Sequence, residues 1–318
     1  MSPAAVPQSG LIRFALHGGA GELAASAGPQ DAQRAALCSI AESALVCLHA
    51  GGSAVDAVSL AVEQLERCPL FNAGVGAVLN RDGQPELDAA IARGEDRGCG
   101  AVAAVSRVAS PILLARAVME RTPHVLVAGA GAERLAGELG LALVEPAHFI
   151  VPLRLAQLAA AQASGSIALD PVDDDAAFGT VGAVARDGRG HLAAATSTGG
   201  LSNKLPGRIG DSAVFGAGTF ADDASLAVSC TGTGEAFIRA VFGHAVHARL
   251  LAGERLAPAC EAVLAELRRY GGSGGCIAIS RRGELALPFS TGVMYRAWSD
   301  DQGRVRVAIR RGDEASSA

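Results

Sequence analysis

Aromatic residues are few in this chain, and neither sign of charge is in large excess. Only 4% of its 318 residues are aromatic, and the formal net charge is -5, with acidic and basic residues scattered along the sequence. A nucleic-acid-binding protein clusters Lys and Arg against phosphates and stacks aromatic side chains on bases. We therefore expect no nucleic acid among its partners.

Long apolar runs are also absent. No stretch approaches the roughly 18 apolar residues of a membrane span. The first residues, MSPAAVPQSGLIRFAL, lack the basic start and the apolar run of a signal peptide. These features predict a cytoplasmic protein that makes no contact with a membrane.

The cysteines form neither a disulfide pattern nor a zinc pattern. Their number is odd, no C-x-x-C pair occurs, and the seven histidines show no metal-ligand spacing and no H-E-x-x-H motif. We expect buried, reduced thiols and no catalytic transition metal. The cysteines are Cys38, Cys47, Cys68, Cys99, Cys230, Cys260 and Cys276.

What the chain does contain is typical of a globule of mixed helices and strands. Half of its residues are hydrophobic, and its 40 glycines are spread over turns. Apolar periodicity predicts helices over about 31–50, 53–67, 110–120, 153–163, 233–250 and 256–269. Strands are predicted for LIRFALHGG, AVAAVSRV, HVLVAG, TVGAVARD, HLAAATST, GCIAIS, ELALPF and RVRVAIR, and residues 163–179 form an acidic, linker-like segment.

Three glycine-rich motifs are typical of other protein classes, an α/β-hydrolase and a dinucleotide-binding protein, but neither class fits this chain. Residues 271–275 fit G-x-S-x-G, and HGGAG at 17–21 resembles an esterase oxyanion loop. An α/β-hydrolase elbow follows a strand and precedes a helix, whereas this motif follows a predicted helix and precedes a strand. In HVLVAGAGAERLAG, Arg134 stands where the third glycine of a dinucleotide loop belongs.

The segment FGTVGAVARDGRGHLAAATSTGG, residues 178–200, gathers Thr180, Thr196 and Thr198 on a predicted β-hairpin. A threonine at a chain N-terminus can use its own α-amine as the base for its hydroxyl. Thr180 would gain that amine if the peptide bond after Gly179 were cut. Glycine at 179 leaves the carbonyl open to attack by the threonine hydroxyl and tolerates strained backbone angles.

Several motifs in order along the chain resemble the N-terminal-threonine asparaginases and isoaspartyl peptidases, specifically the bacterial type III and plant-type branch. They are HGGAG at 17, LERCPLFNAGVGAVLNRDG at 65, GTVGAVA at 179, TSTGGLSNKLPGRIGDS at 196, SCTGTGEAFIR at 229, GGSGGCIAI at 271 and MYRAW at 294. The resemblance implies an α+β fold, the αββα four-layer sandwich of N-terminal-nucleophile hydrolases. It also implies hydrolysis of β-aspartyl dipeptides and L-asparagine through a covalent β-aspartyl ester.

The resemblance further implies a precursor that cuts itself between Gly179 and Thr180. The α subunit would be 1–179, with the acidic linker at its end, and the β subunit 180–318, both remaining in one structural domain. Two αβ heterodimers would associate into a heterotetramer.

Roles for individual residues are likewise implied by the resemblance. Thr180 matches the nucleophile, Thr198 its neighbouring hydroxyl, and Asn72 a positioning loop residue. Arg208 matches the residue that holds the substrate α-carboxylate, while Asp211 and the carbonyl of Gly234 match the groups that bind its α-ammonium. Thr231 and Gly232 match the donors of the oxyanion hole. Taken singly, Arg208 and Asp211 could instead be a surface ion pair, the threonines strand formers and the glycines turns.

A structural sodium ion is implied as well, with no cofactor for the chemistry. Its ligands would be backbone carbonyls, which leave almost no side-chain signature. They match Leu65, Glu66, Cys68, Phe71, Ala73 and Val75. The sequence departs from the family at 287–294, LPFSTGVM, where the usual PFN followed by Glu-Gly-Met has Ser290 in place of Asn and a shifted glycine.

Two rival hypotheses remain. A glycosylasparaginase typically has Asp before the nucleophile, where this chain has Gly179, and lacks the GGLSNKLPG run. A non-catalytic protein that binds a small ligand or a nucleotide would never be cut.

Overall fold

Two β-sheets pack against each other in the computed structural model, which describes residues 10–23, 28–165 and 179–313. The larger sheet has eight strands, ordered β12-β11-β1-β5-β6-β2-β3-β4, all antiparallel to their neighbours except β3 and β4. Its strands are β1 (Arg13–Gly21), β2 (Leu87–Arg93), β3 (Cys99–Val105), β4 (Leu126–Ala128), β5 (Val181–Arg186), β6 (Leu192–Thr198), β11 (Val293–Ser299) and β12 (Val305–Arg310).

The smaller sheet has four antiparallel strands in the order β10-β9-β8-β7. They are β7 (Thr219–Ala221), β8 (Leu226–Gly232), β9 (Gly274–Ser280) and β10 (Leu285–Ala286). Because β8 is buried along its whole length, it has neither the exposed face nor the period-two polarity by which a sequence indicates a strand.

Eight α-helices surround these sheets in the described part of the chain. They are α1 (Asp31–His49), α2 (Ala54–Arg67), α3 (Pro111–Arg121), α4 (Gly129–Glu138), α5 (Pro152–Ser164), α6 (Gly234–Ala240), α7 (Phe242–Leu251) and α8 (Leu256–Glu266). Short 3-10 helices cover Pro146–Phe149 and Leu267–Tyr270. None of the helices in 10–23, 28–165 and 179–313 has the length and apolar character needed to cross a bilayer.

The buried apolar side chains form three main clusters. One lies between α1–α3 and the larger sheet and includes Leu37, Ile40 and Val58. A second lies between the two sheets, and a third packs α6–α8 on the smaller sheet. The helices on the outer faces therefore exclude water from both sheets, while the facing sheets share an alanine-rich interior.

Most of the predicted helices and strands are present. The differences occur where the local sequence does not indicate the secondary structure. The β5–β6 hairpin is confirmed, with Val181 opposite Ser197 and Arg186 opposite Leu192. The single helix predicted over 233–250 is wrong, because Val241 takes a left-handed backbone conformation, with φ +46°, and separates α6 from α7. The strands β2, β7, β8 and β11 were not predicted.

The predicted linker lies mostly outside the described residues, and the cysteines are less buried than expected. Of the predicted linker, residues 166–178 lie outside the described residues. All seven cysteines are free thiols, but only Cys230, Cys260 and Cys276 are buried, so the expectation of burial is wrong for the other four.

Candidate active site

Thr180 directly precedes β5, and its side chain lies between the ends of the two sheets. The threonine is buried, and its Oγ1 donates a hydrogen bond of 3.0 Å to Thr198 Oγ1. Thr198 is the last residue of β6 and accepts a hydrogen bond of 2.9 Å from Gly200 N. The hairpin register thus brings the predicted nucleophile and its predicted partner hydroxyl together.

Thr231 and Gly232 end β8 in the smaller sheet, across from Thr180. Thr231 Oγ1 accepts a hydrogen bond of 3.1 Å from Ala20 N, which leaves its own proton free to be donated. A Cβ placed on Gly179 would lie 2.6 Å from Thr231 Oγ1. The structure therefore sets the predicted oxyanion donor against the residue whose carbonyl would be attacked.

The HGGAG segment, considered above as a possible esterase loop, also packs against Gly179. The register of β1 against β11 shifts between His17 and Gly19, and a Cβ on Gly19 would come within 2.6 Å of Gly179 N. Only a glycine, here with φ +116°, allows this approach of two main chains. The motif therefore packs on the proposed cleavage point.

Arg208 forms a two-point ion pair with Glu235, a residue that the sequence analysis missed. Its Nε and Nη2 each donate a hydrogen bond of 2.8 Å to a different carboxylate oxygen. The Arg208 guanidinium holds the pKa of Glu235 below its usual range. Because the ion pair uses the Nε and Nη2 edge of the planar guanidinium, Nη1 is the nitrogen that remains, and it faces Gly200 and Gly210.

Asp211 is buried beside this arginine. Its Oδ2 has no hydrogen-bond partner among the described residues. Burial raises the pKa of Asp211 to about 7, against the opposing effects of its own backbone N–H and of Arg208. A Cβ on Gly234 would lie 2.9 Å from both Arg208 Nη2 and Asp211 Oδ1, so the three predicted substrate-binding residues converge on one spot.

Asn72 and Ser212 border the same pair of threonines. Asn72 Nδ2 donates a hydrogen bond to Gly200 O (2.9 Å), Gly199 N donates one to Asn72 O (3.2 Å), and Val78 N donates one to Asn72 Oδ1 (2.9 Å). These bonds fix the chain directly after Thr198. Ser212 Oγ lies 3.5 Å from Thr180 Oγ1, and the sequence analysis did not single it out.

The loop expected to hold sodium folds back on itself. Leu65 O accepts from Cys68 N at 3.2 Å, Glu66 O from Val75 N at 2.7 Å, and Cys68 O from Phe71 N at 3.4 Å. The carboxylate of Glu66 is used elsewhere, accepting hydrogen bonds from Ser197 Oγ (2.7 Å), Ser110 Oγ (2.5 Å) and Ile112 N (2.9 Å). Within the described ranges, no group of three or more His, Cys, Asp or Glu side chains could hold a metal ion.

The family model of the asparaginases matches residues 11–309. The chain belongs to this family. It is 53% identical to the isoaspartyl peptidase of Salmonella typhimurium over 90% of this chain and 94% of that protein. It is 52% identical to the isoaspartyl peptidase of Escherichia coli, over 91% and 93% of the two chains. A Bos taurus protein named isoaspartyl peptidase/L-asparaginase is 41% identical, over 84% and 86%.

The departure from the asparaginase family pattern at Ser290 has a clear local structure. Ser290 Oγ donates to Gly274 O and accepts from Gly274 N, each at 3.1 Å, while Ser290 N donates to Gly274 O at 2.7 Å. Gly274 pairs with Gly232 across β8 and β9. The serine therefore anchors the strand beside the predicted oxyanion donors. The shifted glycine, Gly292, donates its N–H to Glu22 Oε1 at 3.0 Å.

Proposed function

We propose that this protein is an isoaspartyl peptidase and L-asparaginase that hydrolyses β-aspartyl dipeptides and L-asparagine. The observation that carries the proposal is the hydrogen bond between Thr180 and Thr198, next to a site that holds one cation, the partly exposed Arg208, and one buried acid, Asp211. Relatives named isoaspartyl peptidase, identical at about half of the aligned positions, support the same activity.

The first step would be maturation of the chain. Thr180 Oγ1 attacks the carbonyl carbon of Gly179, the peptide C–N bond breaks as the nitrogen takes up a proton, and water then hydrolyses the resulting ester. The products are the α subunit, 1–179, and the β subunit, 180–318. The position of Thr231 Oγ1 against Gly179 supports this step, since that hydroxyl can donate to the carbonyl oxygen as it becomes negative.

The mature enzyme would repeat this chemistry on its substrate. The new α-amine of Thr180, with a pKa of about 7.7 to 8.0 in unperturbed peptides, takes the proton of Oγ1. Oγ1 then attacks the β-carbonyl of the aspartyl group, releasing ammonia or an amino acid, and water frees aspartate from the ester. Thr198 orients Oγ1, and Thr231 with the N–H of Gly232 would stabilise the oxyanion.

Substrate recognition would depend on Arg208, Asp211 and Gly234. The guanidinium pairs with the α-carboxylate, while Asp211 Oδ2, which lacks a partner within the described residues, accepts from the α-ammonium together with Gly234 O. The facing sheets with helices on their outer sides support the αββα sandwich of N-terminal-nucleophile hydrolases. The heterotetramer and the cytoplasmic location remain predictions.

The activity is tested by incubating the purified protein with β-Asp-Leu and with L-asparagine and measuring the aspartate released. Release from both substrates is the expected result. A fully matured protein that releases aspartate from neither would contradict the proposed function, whereas an uncut protein without activity would point to the rival ligand-binding hypothesis.

Substrate affinity should depend on the charge of Asp211. Because burial raises its pKa to about 7, Asp211 loses its charge as the pH falls below 7 and no longer attracts an ammonium group. For a single group of this pKa, the dissociation constant of L-aspartate should be about tenfold higher at pH 6 than at pH 8. Titration calorimetry on the mature enzyme measures this.

Asp211→Asn is the matched control, since it should bind aspartate weakly and with little change between pH 6 and 8. The folded pKa lies above the unfolded value, so the stability contributed by Asp211 is lost as pH rises from about 4 to 7. The variant should therefore melt at a higher temperature than the wild type at pH 8, and not at pH 4. Equal pH dependence of aspartate binding in both proteins would contradict this role.

Thr231→Val tests the oxyanion donor. Valine keeps the shape of the side chain but removes the hydroxyl, so kcat should fall about 10²-fold or more. The measurement is kcat for L-asparagine on matured protein, with Thr122→Val as the control, since the half-buried Thr122 hydroxyl bonds Val118 O at the end of α3. An unchanged kcat would remove Thr231 from the site.

We also propose that the loop 65–75 binds sodium. Each of its carbonyl oxygens has two lone pairs, so one hydrogen bond from the loop leaves one available, and neutral oxygens suit a hard cation. The melting temperature should be higher in NaCl than in choline chloride of equal ionic strength. Gly74→Ala, whose Cβ would collide with Glu66 O, should abolish that difference. Equal melting of the wild type in both salts would contradict the proposal.

A further inference from the structure

Lys204 is the only lysine among the 27 Lys and Arg residues of this chain. It is also almost completely buried, with 1% of the residue exposed. The ammonium group of lysine is a compact, strongly hydrated charge, and burying it is costly unless neighbouring groups compensate for the lost water. The position therefore needs compensating groups, and its neighbours supply them.

Two acidic residues lie close to the ammonium group of Lys204. Its Nζ donates a hydrogen bond of 2.7 Å to the main-chain oxygen of Glu86. Burial lowers the pKa of Lys204, while the negative charges of Asp88 and Glu86 oppose that shift. Asp88 is fully buried on β2, where it is opposite Thr198 in the sheet. Lys204 and Asp88 are thus two opposite, buried charges next to the end of β6.

The charged groups of Lys204 and Arg208 face the same glycine. A Cβ placed on Gly200 would lie 3.1 Å from Lys204 Nζ and 3.2 Å from Arg208 Nη1. The N–H of Gly200 donates a hydrogen bond of 2.9 Å to Thr198 Oγ1, which in turn accepts one of 3.0 Å from Thr180 Oγ1. Two cations therefore converge on the main chain beside the predicted nucleophile.

Both cations retain N–H groups for a further acceptor. Arg208 bonds Glu235 through Nε and Nη2, which leaves Nη1. The ammonium group of Lys204 has three N–H donors, of which the bond to Glu86 O uses one. The positive charge of Arg208 also lowers the pKa of Lys204, because like charges repel. A carboxylate between the two would relieve this repulsion, and its two oxygens could accept from both groups.

We propose that Lys204 is a second cation of the subsite for the substrate α-carboxylate, acting together with Arg208. The inference rests on the proposed function, which supplies a substrate with a free α-carboxylate. Two cations at one subsite restrict the substrates to compounds in which that carboxylate is ionised and free. Because Lys204 takes no part in bond making, loss of its charge should raise KM for L-asparagine far more than it lowers kcat.

The binding test compares two ligands that differ by one carboxylate. β-Alanine is L-aspartate without the α-carboxylate, and it keeps the amine that Asp211 would bind and the carboxylate that would lie at Thr180. Lys204→Met keeps an unbranched side chain and removes its charge. The inhibition constant of L-aspartate should then rise about 10- to 100-fold and that of β-alanine less than about threefold. An equal change for both ligands would overturn the proposal, since a lysine that only shapes the loop would affect both.

Glu86→Ala is the matched control for the shape of this loop. The Glu86 carboxylate accepts from Gly207 N at 3.0 and 3.1 Å, so its removal loosens the loop that carries Lys204, Arg208 and Asp211 but keeps both cations. L-Aspartate and β-alanine should weaken by the same factor in this variant. A selective loss of L-aspartate binding would show that loop shape distinguishes the two ligands, and would count against the charge of Lys204.

NMR of the wild type tests the proposal without any variant. Matured protein labelled with ¹³C-lysine should give one Cε signal, because Lys204 is the only lysine. Saturation with L-aspartate should shift this signal, and saturation with β-alanine should shift it much less. If L-aspartate binds by calorimetry while the lysine signal stays unchanged, or if both ligands shift it equally, the role of Lys204 is refuted. A matured protein that binds no L-aspartate would instead contradict the proposed function itself.

Discussion

Thr180→Ala is expected to leave the purified protein as one uncut chain without measurable hydrolase activity. Alanine lacks the hydroxyl that would attack Gly179 and later the substrate, so both maturation and turnover are lost. Removal of a catalytic nucleophile can cost a factor of about 10⁶ in kcat. A denaturing gel and N-terminal sequencing of the wild type should show two fragments, one starting at Thr180, while the variant shows a single band.

Thr180→Ser is the matched control for this experiment. Serine keeps the hydroxyl and loses only a methyl group, so this variant should still be cut and should retain activity, although maturation and kcat can both be slower. An intact wild-type chain with full activity, or an active Thr180→Ala protein, would refute the mechanism.

Arg208→Ala should nearly abolish cleavage of β-aspartyl dipeptides in enzyme that has already matured. Leaving the substrate carboxylate in the site without its charged partner costs about 3–5 kcal/mol, which corresponds to a loss of roughly 10²- to 10⁴-fold in kcat/KM. The wild type should also reject α-Asp-Leu, whose peptide bond consumes the carboxylate that Arg208 would bind. Its kcat/KM should be about 10⁴-fold below that of β-Asp-Leu.

The structure supplies controls for the arginine. Arg208→Lys keeps the charge but loses the planar guanidinium, which can donate two hydrogen bonds to one carboxylate, so an intermediate kcat/KM is expected. Arg249→Ala removes an arginine that pairs with Glu254 on the surface and should leave kinetics unchanged. Comparable kcat/KM for β-Asp-Leu and α-Asp-Leu, or wild-type kinetics in Arg208→Ala, would refute the assignment.

The sequence predicts the elements whose pattern is local. The two halves of the β5–β6 hairpin flank Gly188-Arg189-Gly190, and the apolar face of α1 repeats at helical spacing, so both could be found without knowledge of the fold. By contrast, β8 is buried on both faces and lacks alternation. The break at Val241 could not be predicted, because a β-branched residue is strongly disfavoured in the left-handed region.

In the site, too, contacts that are local in the sequence could be predicted and long-range contacts could not. Thr180 and Thr198 lie on one hairpin, and Arg208 and Asp211 lie in one short loop, so their proximity follows from the sequence. Glu235 was missed because its pairing with Arg208 joins the first turn of α6 to a separate loop. His17 contacts a serine 212 positions away in the chain, and no spacing rule connects them. The only local signal for Glu235 was its position directly after Gly234, a predicted substrate-binding residue.

The order of strands in the larger sheet determines what a cut at 179 does to the protein. β1, from the first fragment, lies between β11 and β5, both from the second, and β6 is hydrogen-bonded to β2 of the first. Two fragments interleaved in this way cannot separate without unfolding, so the chain must fold before it is cut. Unfolded mature enzyme would have to recover its structure by association of two molecules, and its refolding would depend on concentration. Cleavage would thus turn a chain that can refold by itself into an enzyme that stays active only as long as it does not unfold.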